Sequence, residues 1–314
     1  MERDLISRAV SLAASRGRGQ CRASSAVLGA DVLTGGGRRF ESLSAHPADV
    51  VPATGRRRCG SRRFVSWSGG DDTRGERVKT TPQQLAGECE RADRALVGVD
   101  EGMSGYAAAQ MFASGHVFNL RRFTVTTLER PYTALWHRDP SGTWTFYVDA
   151  PPSQSCPRYF GARIAGSHQT PVELDWQKPD TLVVRAGEIE WSMTMRPTLS
   201  TRAMNLLVWM TPAPLLRRPR FLRLVERLLP LLGLGRVSLV GTAPNGQSFL
   251  VTGQDVWKVV GGKATVAGED VGPPGVLDEQ PRLGDYWVPR DIFAVTEAHF
   301  EKLDPTRHGT LTGG

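Results

Sequence analysis

The residues best suited to acid–base chemistry in this sequence are His137 and Asp139, which lie two positions apart within the segment 132–149. A histidine changes its charge near neutral pH, and a neighbouring carboxylate can orient its ring and raise its pKa. This spacing makes His137 a candidate general acid or base. The more ordinary alternative is that His137 is a structural residue among aromatic neighbours and that Asp139 hydrogen-bonds the backbone of a turn.

The same segment, YTALWHRDPSGTWTFYVD, predicts a β-hairpin. Aromatic and β-branched residues flank a turn at 139–142, where proline sets φ at the second position and glycine can adopt a positive φ. With a two-residue loop, His137 opposes Trp144 and lies on the same face as Phe146. With a bulge at the glycine of the turn, Trp136 joins that face instead. Both registers are open, and we expect the hairpin to form one wall of any pocket.

The tryptophan content of the chain beyond residue 130 predicts a pocket. Seven tryptophans lie beyond residue 130, and β-barrels that enclose an apolar ligand are often lined by such residues. We predict a cavity for a hydrophobic small molecule, oriented by Arg158, Glu190 and His137 if the polar faces of their strands point inward. If those faces point outward, the three residues are solvated surface. The predicted ligand-binding residues are Trp136, His137, Trp144, Phe146, Arg158, Tyr159, Glu190, Trp191, Met193 and Trp257.

A second informative feature is the segment 219–232. Its apolar residues recur at helical spacing, and five arginines with one glutamate lie between positions 217 and 227. A basic helix of this kind can lie on an anionic membrane surface. The alternative is that the apolar stripe packs over the mouth of a barrel while the arginines face water. The predicted membrane-contact residues are Arg220, Phe221, Leu224, Arg227 and Leu228.

The order of segments that must position these residues is typical of a mainly β protein. From residue 116 to 296, about ten short strand-like runs are separated by glycine, proline and serine, and only 200–232 has helical periodicity. We predict an antiparallel meander that closes into a lipocalin-like barrel with an inserted helical pair. A two-residue turn at 261–262, Gly-Gly, predicts a further hairpin. The alanine-rich run 105–115 is predicted to be helical.

The first 95 residues differ from the remainder of the chain. They contain few aromatics and several clusters of glycine, serine and arginine, a composition that cannot offset the entropy of ordering. We expect a basic disordered extension, a product of an upstream start codon with initiation nearer Met103, or a transit peptide. The predicted domain therefore spans 96–304, with the helical insertion at about 200–232.

Charge and cysteine content narrow the functional classes. Residues 1–90 carry 15 Lys+Arg and 10 Asp+Glu, so they contribute +5 of the net charge of +7. The basic character therefore belongs mainly to the N-terminal segment, and aromatic interleaving for base stacking is missing, so we expect no specific nucleic-acid partner. Four irregularly spaced cysteines predict neither a disulfide framework nor a metal site. We expect no cofactor and a cytoplasmic protein, with peripheral association at the inner membrane as the alternative.

The body from about 116 to 296 resembles the lipocalin-like bacterial proteins grouped with the carotenoid hydratases. The runs that carry the resemblance are LWHRDPSGTWTFY and GTAPNGQSFLVTGQDVWKV. The chain is also similar to an uncharacterised actinobacterial family. The resemblance implies a barrel that binds a lipid or isoprenoid-like molecule. The alternatives are a hydratase or isomerase acting on such a molecule, with His137 as acid or base, and a peripheral membrane or interaction protein that uses the helix 219–232.

Overall fold

The computed structural model describes residues 80–92, 96 and 100–308. The helices are α1 (Pro82–Glu90), α2 (Pro157–Phe160), α3 (Leu199–Met210), α4 (Ala213–Leu216) and α5 (Pro219–Leu228), with short 3-10 turns at Pro152–Gln154, Gly161–Arg163 and Leu229–Leu232. The first strands are β1 (Glu101–Met111), β2 (Val117–Thr126), β3 (Tyr132–Arg138), β4 (Trp144–Val148), β5 (Gly166–Gln169), β6 (Val172–Lys178) and β7 (Thr181–Ala186). The remaining strands are β8 (Ile189–Arg196), β9 (Val240–Thr242), β10 (Ser248–Val266), β11 (Glu269–Asp270), β12 (Arg282–Leu283), β13 (Tyr286–Trp287) and β14 (Ile292–Phe300).

The protein is mainly β, as predicted, and most strands belong to one curled sheet that forms a half-barrel. The strand order is β5-β4-β3-β2-β1-β14-β10-β8-β7-β6, with the short strands β9 and β11 paired to β10. All of these pairs are antiparallel except β4 and β5, which run parallel, so the sheet is mixed. The helical insertion, α3 to α5, is present between β8 and β9.

The sheet curls around an inner cluster of apolar side chains. Leu135 of β3 and Val184 of β7 both belong to this cluster. Strands β3 and β6 are seven spacings apart in the sheet order, about 34 Å in a flat sheet at about 4.8 Å per spacing, yet residues of the two strands lie within 8 Å of each other. The sheet therefore bends around this cluster. Helix α1 adds Leu85 and Cys89 to the same cluster.

The opposite face of the sheet is also buried, and two further clusters cover it. The outer cluster joins alternate residues of β1 to β4 with the segment around α2 and with β13, and includes Trp136 and Tyr286. The roof cluster joins α3 and α5 to β10 and β14, and includes Met204 and Leu222. Apolar side chains therefore cover both faces of the sheet around β1, β2, β3 and β14, whereas alternate residues of β8 remain exposed or half-exposed.

The hairpin at 132–149 is formed, and its register is the bulged one. Trp136 pairs with Phe146 and His137 pairs with Thr145, so the tryptophan shares the face of Phe146. Gly142 adopts a φ of +94°, which permits the bulge. The carboxylate of Asp139 accepts hydrogen bonds from the Thr143 amide at 2.8 Å and from the Ser141 hydroxyl at 2.6 Å, as expected of a turn residue.

Two local predictions are wrong. The alanine-rich run 105–115 is not helical but forms most of β1, which is paired on both sides by β2 and β14. The glycines at 261 and 262 do not form a turn, because both lie inside the continuous strand β10. A side chain at Gly262 would collide with Gln110 and with the carbonyl oxygen of Ser192, so close packing and not turn geometry requires this glycine.

Candidate ligand-binding cavity

A cavity lies between the outer face of the sheet and the helical insertion. Strands β1, β10 and β14 form its floor, and α3 and α5 form its roof. The cavity volume is about 80 Å³, and the space between the walls reaches about 960 Å³ when the parts that join solvent are included. One water molecule needs roughly 10–15 Å³ of cavity volume, so the cavity has room for several ligand atoms.

The floor of the cavity is low because β1 carries small side chains on this face. Ala107 and Ala109 alternate along β1 and both line the cavity. Ala107 is flanked by Arg121 of β2 on one side and by Ala294 of β14 on the other, and Ala109 is flanked by Asn119. Because these alanines do not fill the space between the neighbouring strands, a trough remains along β1.

The roof is apolar on its inner side. Helix α3 begins with a capping box, in which the Thr198 side chain accepts a hydrogen bond from the Thr201 amide and the Thr201 side chain accepts one from the Thr198 amide. Helix α5 begins with proline at its first turn, a position where a missing amide hydrogen costs nothing. The roof residues that line the cavity are Met204, Leu207, Val208, Phe221, Leu222, Val225 and Leu229.

Two polar side chains attach the roof to the sheet. Asn205 of α3 donates to the Val256 carbonyl at 3.1 Å and accepts from the Val256 amide at 2.7 Å. Glu226 of α5 accepts from the Leu239 amide at 2.6 Å and from the Val240 amide at 2.9 Å. These four hydrogen bonds satisfy irregular backbone and hold both helices over the cavity.

Arg121 is the one charged residue among the described residues that line the cavity. Its side chain belongs to β2 and is buried, with a residue exposure of 7%. The guanidinium carbon lies 5.3 Å from the centre of the Trp136 ring and 5.1 Å from that of Tyr286, so both rings stabilise the cation. Burial lowers the pKa of Arg121 to about 10, which leaves it positively charged at neutral pH.

Three polar atoms of cavity-lining residues are buried without a hydrogen-bond partner. They are the Nε atom of Arg121, the Nδ2 atom of Asn119 and the Oγ1 atom of Thr296. Each buried donor that lacks a partner costs about 1–3 kcal/mol, and native proteins leave few of them. The apolar cavity therefore has one polar wall, formed by these three residues, whose hydrogen-bonding capacity the described chain does not fully use.

The ten predicted ligand-binding residues do not surround one pocket, and none of them lines this cavity. The outer cluster contains Trp136, Trp144, Phe146 and Tyr159. The inner cluster contains Trp191 and Met193, with the partly buried Trp257 packed against it. Successive residues of a strand point to opposite faces, and both faces of this sheet are buried, so aromatic content alone could not assign the residues to one side. Trp136 contributes indirectly, by supporting Arg121.

The three predicted polar groups also lie apart from one another. Arg158 pairs with Glu101, with 2.8 Å between Nη2 and Oε1. Glu190 is exposed and pairs with Arg185, with 2.8 Å between Oε2 and Nε. His137 lies elsewhere, on the inner face of β3. Glu190 is therefore a surface residue, whereas Arg158 stabilises the fold through its ion pair with Glu101.

Glu101 is the centre of a buried polar network. Besides Arg158, its carboxylate accepts from the Tyr159 hydroxyl at 2.9 Å, the Gln247 amide at 3.3 Å and the Leu303 backbone amide at 3.2 Å. Burial raises the pKa of Glu101, but the hydrogen bonds and the charge of Arg158 outweigh burial and lower the pKa below its usual value. The network holds α2 and the end of β14 to the start of β1.

His137 forms a pair with another histidine, His116, with 2.8 Å between Nε2 of His137 and Nδ1 of His116. Its ring also stacks on Phe118 at a centroid distance of 5.0 Å. Burial lowers the pKa of His137 to about 4, with the nearby His116 as the second cause, so the pair is neutral at pH 7. Because this ring lies on the opposite face of the sheet from the cavity, it cannot exchange a proton with a molecule bound there.

The predicted membrane-contact residues lie on α5 and divide between its two sides. Phe221 is half-buried and lines the cavity. Arg220 and Arg227 are exposed, and so are Leu224 and Leu228, with exposures of 52% and 42%. Part of the apolar stripe of α5 therefore lines the cavity, and another part is exposed on the outer side of the helix.

The part of the chain that the structure describes contains neither a metal-ligand cluster nor a membrane-spanning helix. Within 80–92, 96 and 100–308, no group of three or more His, Cys, Asp or Glu side chains is placed to hold a metal ion. No helix of these residues is long and apolar enough to cross a membrane.

Comparison with known proteins gives only weak likeness. No protein-family model and no curated protein matches this chain. Among solved structures, an acetoacetate decarboxylase from Legionella pneumophila is similar, with 12% sequence identity and a TM-score of 0.30. The match covers 68% of this chain and 92% of that chain. At this level of similarity, the likeness assigns no activity to the protein.

Proposed function

We propose that the protein binds a hydrophobic small molecule, such as a lipid or an isoprenoid, in the cavity between the sheet and the helical insertion. The observation that carries this proposal is an apolar cavity beneath α3 and α5 with a single polar wall. Ligand sites in proteins commonly combine an apolar lining with a few polar groups that orient the ligand. The location differs from the barrel interior that the sequence predicted, because the inner cluster occupies that interior.

Binding is favoured over catalysis by the chemistry of the lining. Among the described residues that line the cavity there is no histidine, carboxylate, lysine or cysteine. A hydratase or isomerase needs a group that moves a proton at the ligand, and such groups contribute large rate factors. The enzymatic alternative therefore has neither a histidine nor a carboxylate at this site, and its support is the resemblance to the carotenoid hydratases.

The test is native mass spectrometry of the full chain, combined with organic extraction of the purified protein and uptake of added dodecan-1-ol. We expect wild-type protein to bind the alcohol, and Ala109→Leu to bind it less because the larger side chain fills the trough. Ala162→Leu is the matched control, since Ala162 is exposed and lies away from the cavity. Circular dichroism of each variant reports the fold. A wild-type protein that takes up no apolar ligand would refute the proposal.

A second candidate function is peripheral binding to an anionic membrane. Eight of the ten large apolar side chains that are exposed among the described residues lie in the insertion, between Leu199 and Leu231. The insertion also carries six arginines, whereas its single acidic residue, Glu226, is directed toward backbone amides of the body. Monomeric soluble proteins rarely concentrate exposed apolar groups in this way. Apolar side chains next to arginines suit the interface of anionic lipids.

Co-sedimentation with vesicles tests this second function. We expect the full chain to bind vesicles of phosphatidylglycerol and phosphatidylcholine, and Leu224→Glu to bind them roughly tenfold more weakly, because one apolar contact is lost and a negative charge is added. Val276→Glu makes the same change at an exposed apolar residue outside the insertion and should bind as wild type. Equal binding of all three proteins would exclude the insertion as the contact.

A further inference from the structure

We propose that the ligand of the cavity is an amphipathic carboxylic acid, with its carboxylate against Arg121 and its hydrocarbon chain beneath α3 and α5. This inference rests on the proposed function, because it names the chemical class of the molecule that the same cavity would take. It concerns the polar wall, which includes Asn119, Arg121 and Thr296.

The guanidinium of Arg121 meets two aromatic rings but no hydrogen-bond acceptor. An aromatic ring stabilises a cation over its face, whereas the N–H groups of a guanidinium lie in its own plane and need acceptors at its edge. The Nε atom is buried and unpartnered, and no described residue accepts a hydrogen bond from this side chain. The described chain therefore leaves the hydrogen-bonding capacity of this guanidinium unused, as a site for an acceptor from outside the chain requires.

No group of the described chain supplies the negative charge that a buried arginine ordinarily has beside it. The carboxylate of Glu101 is engaged by Arg158 and Tyr159. Among the ionisable groups near Arg121, Cys156 would have the largest electrostatic effect on its pKa. Burial raises the pKa of the Cys156 thiol, so the thiol is neutral at pH 7. The rings of Trp136 and Tyr286 offset part of the cost of burial and carry no charge. A bound anion would complete the pairing.

The kind of donor on this wall favours a carboxylate over a phosphate. A guanidinium binds the two oxygens of a carboxylate through parallel N–H···O hydrogen bonds. The other two polar side chains on the wall, Asn119 and Thr296, are neutral donors. A dianionic phosphate would bring a second negative charge, and among the described lining residues Arg121 is the one cation available to balance it.

The remainder of the cavity suits the hydrocarbon part of such an acid. The trough along β1 is lined by Ala107 and Ala109, and the roof above it by aliphatic side chains such as Leu222 and Val225. A chain that extends from Arg121 along this trough would remove apolar surface from water on both sides. The molecule would thus have its charged end at the polar wall and its apolar end under the helices.

Isothermal titration of the full chain with dodecanoic acid and with dodecan-1-ol tests the inference. We expect the wild-type protein to bind the acid more tightly than the alcohol. In Arg121→Met, the acid should bind roughly 10- to 100-fold more weakly, because a charge-assisted bidentate contact is lost. Binding of the alcohol should change by less than about threefold, since methionine keeps the apolar stem. Arg282→Met is the matched control, because Arg282 also lies over a tryptophan ring but is exposed and outside the cavity.

The outcomes separate this inference from the proposed function. Equal affinity for acid and alcohol, unchanged in Arg121→Met, would overturn the carboxylate assignment and leave the cavity as a site for neutral apolar ligands. Tighter binding of dodecyl phosphate than of the acid would overturn it in favour of a phosphate. Binding of none of these compounds would overturn the proposed function itself. If Arg121→Met does not fold, Arg121→Lys replaces it: the acid should then bind more weakly than to wild type, and unchanged binding would overturn the inference.

Discussion

Replacement of His137 by phenylalanine is expected to make the protein less sensitive to acid. The ring of His137 is 7% exposed, and burial lowers its pKa from 6.5 to about 4. In the unfolded chain, the same histidine titrates with its ordinary pKa of 6.5. Below pH 6.5 the unfolded state therefore binds a proton that the folded state does not bind, and stability falls as the pH falls.

The size of this effect follows from the pKa difference. A difference from 6.5 to about 4 corresponds to roughly 3 kcal/mol at about 1.4 kcal/mol per pKa unit. The stabilising contribution of the neutral ring is complete above pH 6.5 and is lost progressively between pH 6.5 and 4. Phenylalanine retains the stacking on Phe118 at 5.0 Å and removes the titration, although it loses the hydrogen bond to His116.

Urea unfolding at a series of pH values from 7.5 to 4.5 measures this contribution. We expect the free energy of unfolding of the wild-type protein to fall more steeply over this range than that of His137→Phe, by about 2–3 kcal/mol. His168→Phe, at an exposed histidine on the edge strand β5, is the control and should follow the wild type. Parallel pH profiles for wild type and His137→Phe would refute the assignment of a buried neutral histidine pair.

Two further predictions concern the contacts around the cavity. Asn205→Ala removes both hydrogen bonds to the Val256 backbone, and we expect a loss of about 2 kcal/mol together with faster amide hydrogen exchange in α3. Unchanged exchange in α3 would show that Asn205 does not hold the roof. Glu101→Gln leaves Arg158 without its buried counter-charge and should cost about 3 kcal/mol at pH 7. Because the pKa of Glu101 is lowered in the folded state, this difference should shrink as the pH falls below about 4.5, and a constant difference would contradict the ion pair.

The parts of the fold that were predicted from sequence depend on local signals. The turn residues Asp139, Pro140 and Gly142 specify the hairpin at 132–149, and the bulged register is one of the two registers that the sequence allows. The helical pair is marked by periodicity, by prolines at helix starts and by the stripe from Phe221 onward. The mainly β class follows from the density of short runs and turn residues between 116 and 296. Each of these signals acts within about 20 residues of chain.

The parts that were not predicted depend on contacts between distant residues. Ala107 to Ala109 have high helix propensity, but pairing with strands on both sides determines their structure. The glycine at 262 is a neighbour of Gln110, 152 positions earlier, and local turn rules cannot detect that contact. In both cases tertiary packing overrides the local preference.

The candidate site was missed for a related reason. Asn119 and Arg121 alternate with apolar residues in β2, which is the pattern of a strand with one solvated face. Segments far along the chain, among them Tyr286 and the helical insertion, cover that face and make Arg121 a buried cation. An arginine is usually exposed or paired, so its environment and not its position in the sequence identifies it.

The measurement that tests the central claim most directly is a crystal structure of the full chain with 12-bromododecanoic acid. We predict an anomalous bromine peak beneath α3 and α5, with the carboxylate of the same molecule in contact with the guanidinium of Arg121. A bromine peak within the inner cluster near Trp191, or on the protein surface alone, would contradict the assignment of this cavity as the binding site.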